Sequence, residues 1–297
     1  MVRRHYRFRT LALVLLVLSL FLFGVECFGQ GTQKPTILDK EIAVFGQKIH
    51  YVEAGSGPTV ILLHGLGGST QNWMFTIGAL AEKYHVIAPD QIGFGKSDKP
   101  LINYRVRTYV DFLDEFWKQL NIEHATLLGN SMGGWIAAAY TVAFPARVDR
   151  LILVDSTGYP PPAGFDKQSL YALNPTTKEG MKAMTQKVFF NKNFSSDAVV
   201  DQILAQRMAA GDGYTINMLI ESVIRNEDFL DSRIQSIKQP TLIIWGREDR
   251  LTPLSDGERF KRDIANSTLV VLDQCGHFPQ VEKAAEFNAA VMKFLAG

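Results

Sequence analysis

A serine at 131, an aspartate at 249 and a histidine at 277 are far apart in this 297-residue chain, yet each has neighbours suited to proton transfer and nucleophilic attack. Ser131 lies in Gly129-Asn130-Ser131-Met132-Gly133, after the apolar run Ala125-Thr126-Leu127-Leu128 and before the helix-like Gly134-Trp135-Ile136-Ala137-Ala138-Ala139. A serine on such a strand-to-helix turn takes a strained backbone conformation. Glycines two residues before and after make that conformation sterically feasible, and Oγ then stands above the sheet edge. The helix beginning at the serine aims the Met132 amide, and the positive end of the helix dipole, at an oxyanion forming beside Oγ. A merely structural Gly-Ser turn would need neither the strand nor the helix.

A serine hydroxyl is a weak nucleophile until a base, normally histidine, is held beside it by a carboxylate. The chain has six histidines. His5 is near the N-terminus, His50 and His85 lie in or at the start of strands away from the expected active edge, and His124 precedes its strand. His277, in Asp273-Gln274-Cys275-Gly276-His277-Phe278-Pro279, follows the last strand and is the best base. The acid is assigned to Asp249, in Trp245-Gly246-Arg247-Glu248-Asp249-Arg250, with Asp155 and Glu248 as competitors. The order Ser131, Asp249, His277 is the nucleophile, acid, base order that goes with this turn. The second oxyanion donor should come from His64-Gly65-Leu66-Gly67-Gly68-Ser69, where glycines let main chain approach a ligand. The Leu66 amide is paired with that of Met132, with Gly67 as the fallback, and His64 is expected to fix the loop by hydrogen bonds. No His/Cys/carboxylate cluster has metal-ligand spacing, and the chemistry needs neither cofactor nor metal.

These residues need a scaffold that brings loop ends together. Ile42 to Phe45 and Lys48 to Val52 alternate around Gly46-Gln47 and read as an antiparallel hairpin. Thr59 to Leu63 is continuously apolar, as are His85 to Ala88, Ala125 to Leu128, Leu151 to Val154, Thr241 to Trp245 and Leu269 to Leu272. Apolar strands alternating with helical segments predict an α/β fold: a doubly wound, mostly parallel, eight-stranded sheet whose ligands bind beyond the strand carboxyl ends. The interval 159–236 breaks the rhythm. It opens on Pro160-Pro161-Pro162, carries helix-period runs, and is too long for a bare loop, so it is read as an inserted helical cap. The core is therefore 30–158 with 237–297.

The first 29 residues differ in kind. Arg3, Arg4, Arg7 and Arg9 precede an uncharged apolar run from Leu11 to Val25, followed by Cys27-Phe28-Gly29. This reads as a secretory signal peptide, so export to a periplasmic or extracellular space is expected. An uncleaved leader would instead anchor the chain to a membrane through residues 11–25, a run shorter than the roughly 18 residues of a spanning helix. Removing 1–29 takes the formal charge from +1 to −2, which leaves no basic excess for nucleic acid. Cys275 is then the only cysteine, so no internal disulfide is expected. The sequence says nothing of oligomeric state.

Together these segments resemble the α/β-hydrolase superfamily over essentially all of 37–297. The resemblance rests on Leu63-His64-Gly65, the run from Ala88 to Ser97, the turn at Ser131, Gly246-Arg247-Glu248-Asp249 and Gly276-His277. It implies that Asp90 to Ser97 form a structural loop and that Asp90 is not catalytic. A serine at 131 separates the chain from epoxide hydrolases and haloalkane dehalogenases, which are similar but carry aspartate there. Two subgroups resemble it most. Exported bacterial lipases and esterases, with monoacylglycerol-lipase-like enzymes, share the loop at His64, Asn72-Trp73 and the leader. The meta-cleavage-product hydrolases, which cut carbon–carbon bonds in vinylogous diketo acids, share Gly129 to Gly134 and Cys275-Gly276-His277. That group usually has tryptophan after the histidine, where this chain has Phe278, and a cap arginine for the substrate carboxylate, for which Arg207 is available. Export favours a carboxylic ester or lipid substrate, with Phe94, Trp135, Arg207 and Phe278 expected at the substrate. Carbon–carbon hydrolysis is the alternative. A non-catalytic binding protein on the same fold would commonly lack a triad member, and none is missing here.

Overall fold

The computed structural model describes residues 35–297. The expected leader, and any membrane contact through 11–25, lie outside these residues. Among them, no helix is long and apolar enough to cross a membrane.

Eight strands form one sheet: β1 (Ile37–Val44), β2 (Gln47–Ala54), β3 (Thr59–Leu63), β4 (His85–Pro89), β5 (Ala125–Asn130), β6 (Val148–Val154), β7 (Thr241–Gly246) and β8 (Ser267–Leu272). Their order is β1-β2-β4-β3-β5-β6-β7-β8. The pairs β1/β2 and β2/β4 are antiparallel, and the rest are parallel. The first hairpin reverses at Phe45-Gly46, one residue before the Gly46-Gln47 expected from sequence, with Val44 opposite Gln47. Phe45 and Gly46 both have positive φ, 49° and 75°, the backbone that a two-residue turn needs to match strand twist.

The continuous apolar runs have a simple cause: alternate residues bury on opposite faces. Ile61 and Leu63 of β3, with Ile243 and Trp245 of β7, join the core beneath α2 (Val106–Gln119), α3 (Met132–Ala143) and α7 (Leu254–Asp263). Val60, Leu62, Leu242 and Ile244 join the opposite core with residues of α9 (Ala284–Ala296), such as Phe287 and Val291, and with Ile77 and Leu80 of α1 (Met74–Leu80). Each fully buried aliphatic side chain contributes about 1.5–3 kcal/mol, so a polar residue on either face of these strands would be costly.

Between β6 and β7 the chain forms α4 (Lys178–Val188), α5 (Asp197–Ala210) and α6 (Gly213–Ile224), with short 3-10 turns. This segment crosses to the carboxyl ends of the strands. His277 N–H donates to Val188 O at 2.7 Å, and a β-carbon placed on Gly67 would lie 3.4 Å from Ile216 of α6. The short helix α8 (Pro279–Glu282) follows His277 directly.

Candidate active site

The turn between β5 and α3 has the strained geometry that its sequence implies. Ser131 sits at φ 57°, ψ −122°, immediately before Met132 opens the helix. The flanking glycines are required by contact. A β-carbon on Gly129 would strike the Gly133 carbonyl, and one on Gly133 would strike the Leu63 carbonyl. The loop after β3 comes equally near, since a β-carbon on Gly65 would stand 3.0 Å from that of Ser131. In that loop Gly68 N–H donates to Gly65 O at 3.1 Å, closing a turn with Leu66 and Gly67 at its apex and Gly67 at φ 67°. His64 secures the turn. Its Nε2 accepts from the Gln91 amide at 3.0 Å, so Nδ1 carries the proton and donates to Gly65 O at 2.8 Å. Burial lowers its pKa, which keeps the ring neutral in this bridging role.

Asp249 and His277 are brought together by the parallel pairing of β7 and β8. Asp249 Oδ2 accepts from His277 Nδ1 at 2.7 Å. The carboxylate is fixed by further donors: Leu251 N–H at 2.7 Å and Thr252 N–H at 3.1 Å to Oδ1, and Thr252 Oγ1 at 2.6 Å to Oδ2. Burial alone would raise the Asp249 pKa; the neighbouring His277 and these hydrogen bonds outweigh it and hold the group below its ordinary value. With Nδ1 donating, Nε2 is left as the acceptor. It is buried and has no hydrogen-bond partner among the described residues, the state of a base waiting for a proton. Asn130, next to Ser131, ties the two halves together: its Nδ2 donates to Val154 O at 3.2 Å and to His277 O at 3.1 Å.

The remaining sequence candidates divide. Phe94 is fully buried in the core, stacked on Tyr109 and edge-on to His64, so it supports the His64 loop by packing and does not line an open pocket. Trp135 is buried too, stacked on Phe229 with ring centroids 4.7 Å apart, and its Nε1 donates to Asp228 O at 3.2 Å. Both large rings pack into the core around the site. Phe278 stands edge-on to His277 and stacks on Phe189 at the end of α4. Arg207 of α5 pairs with buried Asp212 at 2.5 Å and donates to Asn174 at 3.0 Å. Its guanidinium reaches the loop after β3, where a β-carbon on Gly67 would be 3.0 Å from Nη1. Asp90, set aside as structural, accepts from the Thr70 and Lys96 amides at 2.6 and 2.8 Å and pairs with His50 at 2.8 Å.

Two contributors, Thr252 and Glu282, had no clear sequence signal, and Asp155 was a competitor for the acid. Thr252 offered only its place three residues after Asp249, a side-chain-to-backbone spacing. Glu282 accepts from Gly276, Phe190 and Asn191 amides, each at 2.9 Å, and so joins the histidine loop to the segment after α4. Asp155 lies against the Asp249–His277 pair. One ligand atom from each of Asp155, Asp249 and His277 falls within 4.8 Å of the others, the one such grouping among the described residues. The Nδ1 proton of His277 is already donated to Asp249, which leaves the pair suited to proton transfer.

A model of the alpha/beta hydrolase fold matches residues 58–212 and 216–284. A 2-hydroxymuconate semialdehyde hydrolase of Pseudomonas sp. (strain CF600) is 32% identical over 269 residues, covering 87% of this chain and 94% of its own. The meta-cleavage product hydrolase CumD of Pseudomonas fluorescens IP01 superposes with a TM-score of 0.79 at 31% identity, over 86% of this chain and 97% of its own. A bacterial membrane phospholipase A gives a TM-score of 0.78 at 30% identity, over 88% of this chain and 86% of its own.

Proposed function

The chain belongs to the alpha/beta hydrolase fold family, and from that premise we propose that it is a serine hydrolase cleaving a carbon–carbon bond in a conjugated diketo acid. The observation that carries the choice of bond is Arg207. It holds a guanidinium against the loop that would supply the Leu66 oxyanion donor, and its bonds to Asp212 and Asn174 use two of five N–H groups. A carboxylate on the substrate would meet those remaining donors. The names of the curated relatives agree with this choice over the ester reading that the leader suggested.

In this mechanism His277 Nε2 takes the Ser131 proton as Oγ adds to the ketone carbon, and the Leu66 and Met132 amides hold the resulting oxyanion. Collapse breaks the adjacent carbon–carbon bond. Its electron pair passes into the conjugated keto acid, which takes up a proton, while the acyl group stays on Ser131. Water, deprotonated by His277, then releases the acid and restores the serine.

Ester hydrolysis is kept as a second reading on specific grounds: the likeness to a phospholipase A, the apolar Phe278–Phe189 stack beside His277, and the leader. A panel of a dienoic diketo acid, short and long p-nitrophenyl esters and monoacylglycerols separates the two. The diketo acid is expected to have the highest kcat/KM, and Arg207→Leu should raise its KM at least about tenfold while changing that of a neutral ester little. Faster turnover of a monoacylglycerol, with no Arg207 effect, would select the ester reading. Ser131→Ala should abolish both turnover and fluorophosphonate labelling.

A further inference from the structure

We propose that Asp155 is a positioning residue for the Asp249–His277 pair, held as a neutral carboxylic acid that donates its proton to the Asp249 carboxylate. Two observations lead there. Asp155 is fully buried, its Oδ1 accepts from the Gly246 amide at 2.9 Å, and its Oδ2 has no partner. Two carboxylates are both acceptors only, so Oδ2 gains a partner when it carries a hydrogen, and Asp249 is the acceptor beside it. The backbone is also held in an uncommon state: Asp155 has φ 41° at the end of β6, with its N–H on Ile244 O at 3.0 Å. Strain of this kind persists where surrounding contacts over-determine a residue's position.

The charges facing the group agree. Burial, first, and the Asp249 charge, second, push the Asp155 carboxyl well above its ordinary value, and Glu282 adds to this; the Gly246 amide alone opposes. Cys275 is a buried neutral thiol nearby, and Asp256 bears on Asp249 from α7. Two like charges this close do not both ionise, so the pair carries one negative charge, concentrated on the member that holds His277. Asp155 thus adds a donor to Asp249 without a second anion that would overstabilise the protonated imidazole.

The proposal rests on the triad reading above, and infrared spectroscopy tests it without activity. At neutral pH, the wild-type-minus-Asp155→Asn spectrum of the full chain should contain the carbonyl band of a protonated carboxylic acid. Its absence would overturn the proposal. In kinetics, Asp155→Leu should lower kcat at least about tenfold with KM nearly unmoved, and Asp155→Asn, which keeps a donor, should restore most of that loss. The acid limb of the kcat/KM profile should stay within about 0.3 pH units in Asp155→Asn. A downward move of about one unit would overturn the proposal, since loss of an ionised neighbour has that effect. Should Asp155→Leu fail to fold, the infrared band and the Asn profile still decide. Absent fluorophosphonate labelling of Ser131 would sink the serine reading, while the band would still report on the carboxyl pair.

Discussion

In the proposed mechanism the imidazole of His277 needs its proton on Nδ1, where it donates to Asp249 Oδ2. Asp249→Asn would favour the wrong tautomer, and kcat is expected to fall by about 10⁴-fold with KM little changed, measured by steady-state kinetics. The same residues set opposite pH dependences of stability. The folded-state pKa of Asp249 is lowered, so its contribution is present above the ordinary carboxylate value and lost as pH falls through the folded value. That of Asp155 is raised, so its contribution is full below the ordinary value and lost as pH climbs towards the folded one. Asp155→Asn should therefore gain in stability relative to wild type as pH is raised from 4 to 7, read by urea melts across that range. Ser131, Asp249 and His277 were legible because each follows an apolar strand in a short motif.

At the scale of elements, the turn at Ser131 is a close-packed junction of β3, β5 and α3. Gly133→Ala should destabilise it by about 1–3 kcal/mol or more, because the added methyl meets the rigid Leu63 carbonyl, and should suppress fluorophosphonate labelling of the chain that still folds. Glu282 makes a second junction, between the histidine loop and the segment after α4. Burial raises its carboxyl, with the Asn191, Gly276 and Phe190 amides pulling the other way. Glu282→Ala leaves three amides without their acceptor, so about 1–3 kcal/mol of stability should be lost and hydrogen exchange at Gly276, Phe190 and Asn191 should quicken. The strands were readable from continuous hydrophobicity. The hairpin turn slipped by one residue because Phe45 is not a residue that advertises positive φ.

At the scale of the whole molecule, the inserted helices lie over the strand ends that carry the site. Ser131 and His277 are 8% and 2% exposed, with α5 and α6 reaching the loop after β3. Because α5 and α6 pack over the loop beside the serine, hydrogen exchange over α4 to α6 should slow when a serine-reactive inhibitor is bound, while that of β5 changes little. By itself the sequence determined the sheet and the turn that strains Ser131, because hydrophobic period and backbone sterics are local properties. Tertiary structure alone decided that Asp155 lies against Asp249, that Glu282 clamps the histidine loop, that Arg207 reaches Gly67, and which aromatics are core. Those facts depend on where parallel strand ends and the inserted helices converge, across separations that no local pattern records.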